Sequence, residues 1–237
     1  MNQNDLKPAH MLAKRYGVKV TLFGDPGSGK TPIAATAPRP VILATESGMG
    51  SMRASNVPAW EAFTGKAIED FFKWFFNSNE TKNFDTLIVD SFSHLAEIIL
   101  KEKEKQIKHG MQAYGAMNDL ILDYANQMFY MPQKNIIMIA KQTLIENGRQ
   151  KVIENGEVIT EPVMQKRPYF PGKELNTKLP HLFDSTWHLS EIFVNGAKHK
   201  AIRTIATPEI FARDRIGNLS ELEPANMTDL FNKSMNA

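Results

Sequence analysis

Eight consecutive residues near the start of the chain have the types and spacing of a phosphate-binding loop. They are Gly24, Asp25, Pro26, Gly27, Ser28, Gly29, Lys30 and Thr31, and they match the pattern G-x-x-x-x-G-K-[ST]. Glycines let successive backbone N–H groups of such a loop converge on phosphate oxygens. The lysine then reaches the β and γ phosphates and the last hydroxyl binds Mg²⁺. The sequence therefore predicts that Lys30 binds nucleotide phosphate and that Thr31 binds Mg²⁺.

Two acidic residues follow apolar runs of strand length. Asp90 follows residues 86–89, and Glu46 lies just after residues 41–44. A carboxylate of this kind is needed to hold Mg²⁺ in P-loop proteins, and a second group must orient or deprotonate the attacking water. We assign the metal to Asp90 and the water to Glu46. The alternatives are a helix N-cap for Asp90 and a solvated loop acid for Glu46.

Apolar runs and segments with helical spacing alternate along the first 140 residues. The predicted strands are 18–23, 41–44, 86–89 and 136–140, and the predicted helices are 67–76, 92–105 and 111–128. This alternation predicts an α/β fold with a mostly parallel sheet and right-handed crossovers. Ligands of such sheets gather at the carboxyl ends of the strands, which is where the loop and both acids fall.

After Gln142 the pattern changes to antiparallel signals. Asn147-Gly148 and Asn155-Gly156 are strong hairpin dipeptides, so we predict a small β meander inserted at about residues 143–171. Asn195-Gly196 predicts another hairpin between strands near the C-terminus, followed by a short helix that Thr228 caps. We find no repeat or linker and expect one domain over residues 1–237.

Composition excludes several classes of function. The 237 residues include no cysteine, which excludes disulfides and thiolate metal sites and fits a cytoplasmic location. No apolar run is long enough for a membrane span, so no membrane partner is expected. The net charge is +2, so any site for a polyanion must come from local clustering of basic residues.

The order of these motifs resembles that of the RecA-like ATPases. Glu46 matches their catalytic glutamate, which follows the strand after the P-loop helix, and Asp90-Ser91 matches the end of their Walker B strand. Gln142 ends the next strand, where recombinases carry the residue that senses γ-phosphate. The resemblance implies a RecA-like P-loop core with helices on both faces of a twisted sheet, plus a hairpin insertion and antiparallel C-terminal strands. It also implies ATP and Mg²⁺ as ligands and ATP hydrolysis as the activity.

A segment near the C-terminus is similar to the Lys-x-Arg motif with which RecA-like proteins reach into a neighbour's nucleotide site. It comprises residues 212–217, with Arg213 in place of the usual lysine and Arg215 in the arginine position. The resemblance implies that both arginines are catalytic in trans. It therefore implies a homo-oligomer, as a ring or a filament, with ATP hydrolysed at subunit interfaces.

Residues 15–217 most resemble phage-encoded single-domain ATPases of single-strand annealing and recombination. This branch implies single-stranded DNA as a partner, a single-strand-binding protein as a further candidate partner, and the host cytoplasm as the location. Two rival functions stay open, a small-molecule kinase and a nucleotide-dependent switch. A kinase would not need Glu46, and a guanine-specific switch would need an Asn-Lys-x-Asp motif that the sequence lacks.

The expected DNA-binding surface is the tail of the hairpin insertion. Its candidate residues are Lys166, Arg167, Tyr169, Phe170 and Lys173. Cations suit backbone phosphates and flat rings suit unstacked bases, so together they could form a platform for single strands. The alternative is that the rings pack on the core. A second basic stretch, 101–110, alternates Lys and Glu and is more typical of a solvated helix face.

Overall fold

The computed structural model describes residues 6–13, 15–154 and 157–236, so the predicted turn at Asn155-Gly156 lies outside the described residues. Seven helices occur in the described residues: α1 Ala9–Ala13, α2 Lys30–Ala34, α3 Gly65–Asn77, α4 Phe92–Gln106, α5 Gly110–Tyr130, α6 Lys173–Leu182 and α7 Met227–Met235. The strands are β1 Lys19–Phe23, β2 Pro40–Ala44, β3 Ala59–Glu61, β4 Thr86–Asp90, β5 Asn135–Glu154, β6 Glu157–Tyr169, β7 Ser185–Val194, β8 Ala197–Arg203, β9 Arg213–Asp214 and β10 Leu222–Pro224. Short 3₁₀ helices span Met49–Met52 and Asn79–Asn83.

The strands form a single sheet in the order β10-β8-β7-β1-β5-β4-β2-β3, with β6 beside β5 and β9 beside β7. The pairs from β7 through β1, β5, β4 and β2 to β3 are parallel. β8, β9 and β10 join in antiparallel fashion on the other side, and β6 pairs antiparallel with β5. This order confirms the predicted fold class, including the hairpin insertion and the antiparallel C-terminal strands.

Helices cover both faces of the sheet, and each face has its own apolar cluster. One cluster packs α3, α4, α5 and α6 on the sheet, with Phe71, Phe75 and Met117 among its fully buried side chains. The other packs α2 and α7 on the opposite face around Trp187 and Phe231. Burial on both faces explains why β1, β2 and β4 read as continuous apolar runs.

The start of α7 differs from the prediction. Asn226, and not Thr228, caps the helix: its side chain accepts hydrogen bonds from the backbone N–H groups of Thr228 and Asp229. The Thr228 hydroxyl donates to the backbone oxygen of Thr36, at 2.6 Å. The hydroxyl therefore ties α7 to the segment after α2 and does not close its own helix.

The insertion is one long hairpin of β5 and β6, and the predicted meander is wrong. Asn147-Gly148 does not turn the chain; the register shifts between Glu146 and Arg149, and Gly148 takes a φ of 107° in this β-bulge. Asn195-Gly196 does form the predicted turn, with φ angles of 52° and 79° between β7 and β8. No helix in the described part of the chain has the length and hydrophobicity needed to cross a membrane.

Candidate nucleotide-binding site

The phosphate-binding loop lies between β1, which ends at Phe23, and α2, which begins at Lys30. Gly27 and Gly29 have φ angles of 73° and 91°, in the left-handed region where a side chain is strained. The backbone N–H of Ser28 donates to the backbone oxygen of Asp25 at 3.2 Å, which closes the loop on itself. The sequence pattern therefore folds as the curled loop that it predicts.

Lys30 lies against the start of this loop. Its Nζ donates to the backbone oxygens of Gly24 and Asp25, at 3.0 and 2.9 Å. Burial lowers the pKa of Lys30, and the carboxylates of Asp90, Asp25 and Glu46 oppose this shift. The ammonium is thus held at the loop by weak neutral acceptors, which charged phosphate oxygens can replace.

Thr31 and Asp90 meet at the carboxyl edge of the sheet. The hydroxyl of Thr31, on α2, donates to Oδ2 of Asp90, at the end of β4, at 2.6 Å. Burial raises the pKa of Asp90, and the nearby Glu46 raises it further, while Thr31 and Lys30 act in the opposite direction. A cation bound here would offset the free-energy cost of burying the charged Asp90 carboxylate.

This pair fits Mg²⁺, which takes hard oxygen ligands and commonly combines one or two protein groups with phosphate oxygens and water. The described residues contain no cluster of three or more His, Asp or Glu side chains that could hold a metal by themselves. A metal at Thr31 and Asp90 would therefore depend on ligands that the nucleotide and water provide.

Glu46 follows β2 and is anchored by the end of β4. Ser91 Oγ donates to Glu46 Oε1 at 2.5 Å and accepts from the backbone N–H of His94 at 3.1 Å. Thr45 binds the same segment, because its backbone N–H donates to the Asp90 oxygen at 2.8 Å. Ser91, and not Asp90, thus caps α4, and it fixes the Glu46 carboxylate at the same time.

Gln142 lies beside the loop through Asp25. Gln142 Nε2 donates to Asp25 Oδ1 at 2.6 Å, and Lys166 Nζ forms an ion pair with Asp25 Oδ2 at 2.8 Å. His188 continues the chain of hydrogen bonds, with Nε2 3.1 Å from Gln142 Oε1 and Nδ1 2.7 Å from the Ser190 hydroxyl. The bond from Lys166 is the largest cause that lowers the pKa of Asp25. His188 lies in none of the sequence motifs and was not predicted.

The candidate DNA-binding residues have different surroundings in the structure. Phe170 is fully buried and packs edge-to-face against Phe92 with centroids 6.1 Å apart, so its prediction as a base-stacking residue is wrong. Lys166 forms an ion pair with Asp25, and its role as a DNA contact stays a prediction. The Arg167 guanidinium lies over the Phe211 ring, 5.2 Å from its centroid. Of the remaining candidates, Tyr169 is half-buried and Lys173 is exposed.

The two C-terminal arginines lie at the opposite edge of the sheet. β9 pairs with the start of β7, with Thr186 opposite Arg213, whereas the phosphate-binding loop is level with the later residue His188. The Arg213 guanidinium donates to the backbone oxygens of Pro180 and Phe183 at the end of α6. The guanidinium is therefore engaged within its own chain, and its predicted role in a neighbour's site stays a prediction. Arg215 is exposed, and its role stays a prediction.

The fold and the loop together define a P-loop nucleotide-binding domain, with its acids at the carboxyl edge of the sheet. A family model described as an AAA domain matches residues 16–216, and the chain belongs to this family of ATPases. No curated protein matches the chain at a significant level.

Solved structures with partial similarity include the flagellar accessory protein FlaH from Methanocaldococcus jannaschii. It is 10% identical, with 88% of this chain and 84% of that chain covered and a TM-score of 0.41. A KaiC-like protein from Pyrococcus horikoshii OT3 is 12% identical, with 79% and 78% covered and a TM-score of 0.41.

Proposed function

We propose that this protein binds ATP with Mg²⁺ and hydrolyses it. One observation carries the proposal: the Thr31 hydroxyl, the Asp90 carboxylate and the Ser91-held Glu46 carboxylate come together at the loop that holds Lys30. These groups come from three separate segments of the chain. A site of this composition suits phosphoryl transfer, in which catalysis consists mostly of positioning and charge stabilisation.

Each side chain has a distinct part in this proposal. Lys30 exchanges its two carbonyl acceptors for phosphate oxygens and stabilises the charge that develops on them. Glu46 accepts a proton from the attacking water, and Ser91 holds the carboxylate in one orientation. Thr31 and Asp90 would hold Mg²⁺, which would neutralise phosphate charge. Gln142, hydrogen-bonded to Asp25 in the loop, is placed to respond to the γ-phosphate.

Two carboxylate variants test this division of roles. Glu46→Gln should retain ATP affinity and lose hydrolysis by about 100-fold or more, because the amide keeps the shape but cannot accept a proton. Asp90→Asn should weaken Mg²⁺-dependent binding as well. Glu61→Gln, an exposed acid at the end of β3, is the matched control and should turn over ATP normally. Normal turnover in both Glu46→Gln and Asp90→Asn would reject the proposal.

We extend the proposal to single-stranded DNA annealing, in line with the motif order. The support is local charge: the β5–β6 hairpin carries the exposed Lys151, and Lys173 is exposed where α6 begins. The ion pair between Lys166 and Asp25 joins this hairpin to the phosphate-binding loop. DNA on the hairpin would therefore be coupled to the nucleotide. A kinase or a switch that ignores DNA is the rival function.

Oligonucleotide affinity at several salt concentrations tests the DNA step. Lys173→Ser should weaken binding and reduce the slope of log affinity against log salt by about one. Lys178→Ser is the control, because Lys178 lies on the same helix and is paired with Glu174. If wild-type protein shows no affinity for single strands with or without ATP, the rival functions are favoured.

We also propose that the protein works as a homo-oligomer. The hairpin exposes an unusual set of apolar side chains, namely Leu144, Ile145, Ile153, Val158 and Met164. Exposed apolar groups on a projecting element are typical of interaction surfaces. Mixing Arg215→Ala with Glu46→Gln protein tests a shared site: partial recovery of ATP hydrolysis is expected if Arg215 acts in trans. No recovery at any ratio, with assembly verified by sizing, would leave Arg215 without this role.

A further inference from the structure

A second lysine lies at the phosphate-binding loop, and it comes from a distant part of the chain. A Cβ atom built on Gly29 would overlap Lys200 Nζ and lie 3.7 Å from Lys200 Cε. Gly29 is the last glycine of the loop and already needs its positive φ of 91°. The end of the loop is therefore covered by an ammonium group as well as being conformationally restricted.

The β7–β8 hairpin explains how Lys200 reaches the loop. β7 runs parallel to β1, and His188 is opposite Phe23, the last residue of β1. Both strands of the hairpin continue beyond that level, where Lys200 is opposite Glu191. The hairpin thus forms a wall beside the loop, and Lys200 is on the part of the wall that passes it.

The charge of Lys200 is not neutralised by its neighbours. Glu191, directly across the strand pair, forms its ion pair with Lys198 instead. Within the described ranges, Lys200 makes no ion pair of its own, and its side chain is exposed. The other two lysines at the loop differ: Lys30 donates to two backbone oxygens, and Lys166 is paired with Asp25.

We propose that Lys200 is a second phosphate-binding lysine of this site, reaching the polyphosphate chain from β8 of the same molecule. It acts at the Gly29 end of the loop, whereas Lys30 is at the Gly24 end. Two ammonium groups at opposite ends of the loop suit a ligand with several adjacent phosphates. The inference rests on the proposed nucleotide binding and adds that recognition is directed to the polyphosphate.

The test compares Lys200→Met with Lys198→Met. Methionine keeps much of the aliphatic stem and removes the charge, and Lys198 is a neighbouring cation on the same strand that is already paired with Glu191. Calorimetric titrations use Mg²⁺-ATP and inorganic tripolyphosphate as separate ligands. Lys200→Met should raise the Kd of both by about tenfold, because one charge-assisted hydrogen bond is lost. Lys198→Met should stay within about twofold of wild type, and Lys200→Arg should recover most of the affinity.

The outcomes separate this inference from the proposed function. Wild-type affinity in Lys200→Met, together with lost affinity in Lys30→Ala, would overturn the role of Lys200 and leave nucleotide binding intact. Loss for ATP but not for tripolyphosphate would also overturn it, since the contact would then be to the nucleoside. If wild-type protein binds neither ligand, both proposals fall. The melting temperature without ligand should be equal in all variants, because Lys200 is exposed; a lower value in Lys200→Met and Lys200→Arg alike would assign the lysine to the fold instead.

Discussion

Basic side chains gather at both edges of the parallel sheet, but they meet different surroundings. At the amino edge, Lys19 is fully buried and its Nζ donates to the backbone oxygens of Gly17 and Met131, each at 3.3 Å, and to that of Lys134. The Arg213 guanidinium, at the same edge, also donates to backbone oxygens. Burial lowers the pKa of Lys19 to about 8. These cations hold chain segments together.

At the carboxyl edge the basic groups are accessible and lie among carboxylates. Lys30 is half-buried, Lys200 is exposed, and Asp90 and Glu46 are close to Lys30. The glycine loop adds backbone N–H groups that can bind anions. Since both edges contain lysine or arginine, residue type alone does not mark the functional edge. The surroundings of each cation distinguish the functional edge, and substitutions of single cations can test this difference.

The largest effect is expected for Lys30→Ala. Loss of the ammonium at the phosphates should lower ATP turnover by about 100-fold or more. The melting temperature without ligand should hardly change, because the Lys30 contacts to Gly24 and Asp25 are replaceable by water. Turnover and thermal melting of the same preparation check both points. Normal turnover would remove the functional distinction between the two edges.

The carboxyl edge could be predicted because the phosphate-binding loop, Glu46, Asp90 and Gln142 each come at or after the end of an apolar run of strand length. Once the sheet is parallel, Lys30, Glu46, Asp90 and Gln142 must come to the same edge, whatever the details of packing. The contacts between them were not predictable. Ser91 lies within reach of Glu46, and His188 within reach of Gln142, only because of the way neighbouring strands align.

The end of β6 and the amino edge of the sheet were harder to predict, because tertiary packing decides which side chains are buried there. Tyr169 and Phe170 are adjacent aromatics in one basic stretch, yet α6 covers Phe170 and leaves Tyr169 half-exposed. α6 was not predicted, because Pro180 inside it is typical of a helix break. Similarly, the motif around Arg213 does not show that β9 joins the start of β7. That pairing decides which edge the arginine occupies.

The next largest effect is expected for Arg213→Met, which tests whether the amino edge is structural. The variant leaves the backbone oxygens of Pro180 and Phe183 without their charged donor, which should cost about 2 to 3 kcal/mol of unfolding free energy. Turnover per folded molecule should stay normal. Denaturant unfolding and ATP hydrolysis below the melting range measure the two quantities. Retained stability with lost turnover would instead support the predicted catalytic role of Arg213.

The smallest effect concerns His188, a buried group at the otherwise accessible carboxyl edge. Burial, followed by the charge of Lys166, lowers its pKa from 6.5 to about 4, while Asp25 opposes the shift. The unfolded chain therefore binds a proton at His188 as the pH falls below 6.5, and the folded chain does not until about pH 4. Stability should decrease over this range, by on the order of 2 kcal/mol.

His188→Gln isolates this contribution, because an amide can bond to Gln142 and Ser190 without titrating. Asp90 and Asp184 have raised pKa values, so they stabilise the fold as the pH falls and partly mask His188 in the wild-type curve. The informative quantity is thus the difference in unfolding free energy between wild type and variant, measured from pH 7.5 to 4.5. The wild type should lose stability relative to the variant as the pH falls. A constant difference would mean that His188 titrates alike in the folded and unfolded states, and that water reaches its imidazole in the folded chain.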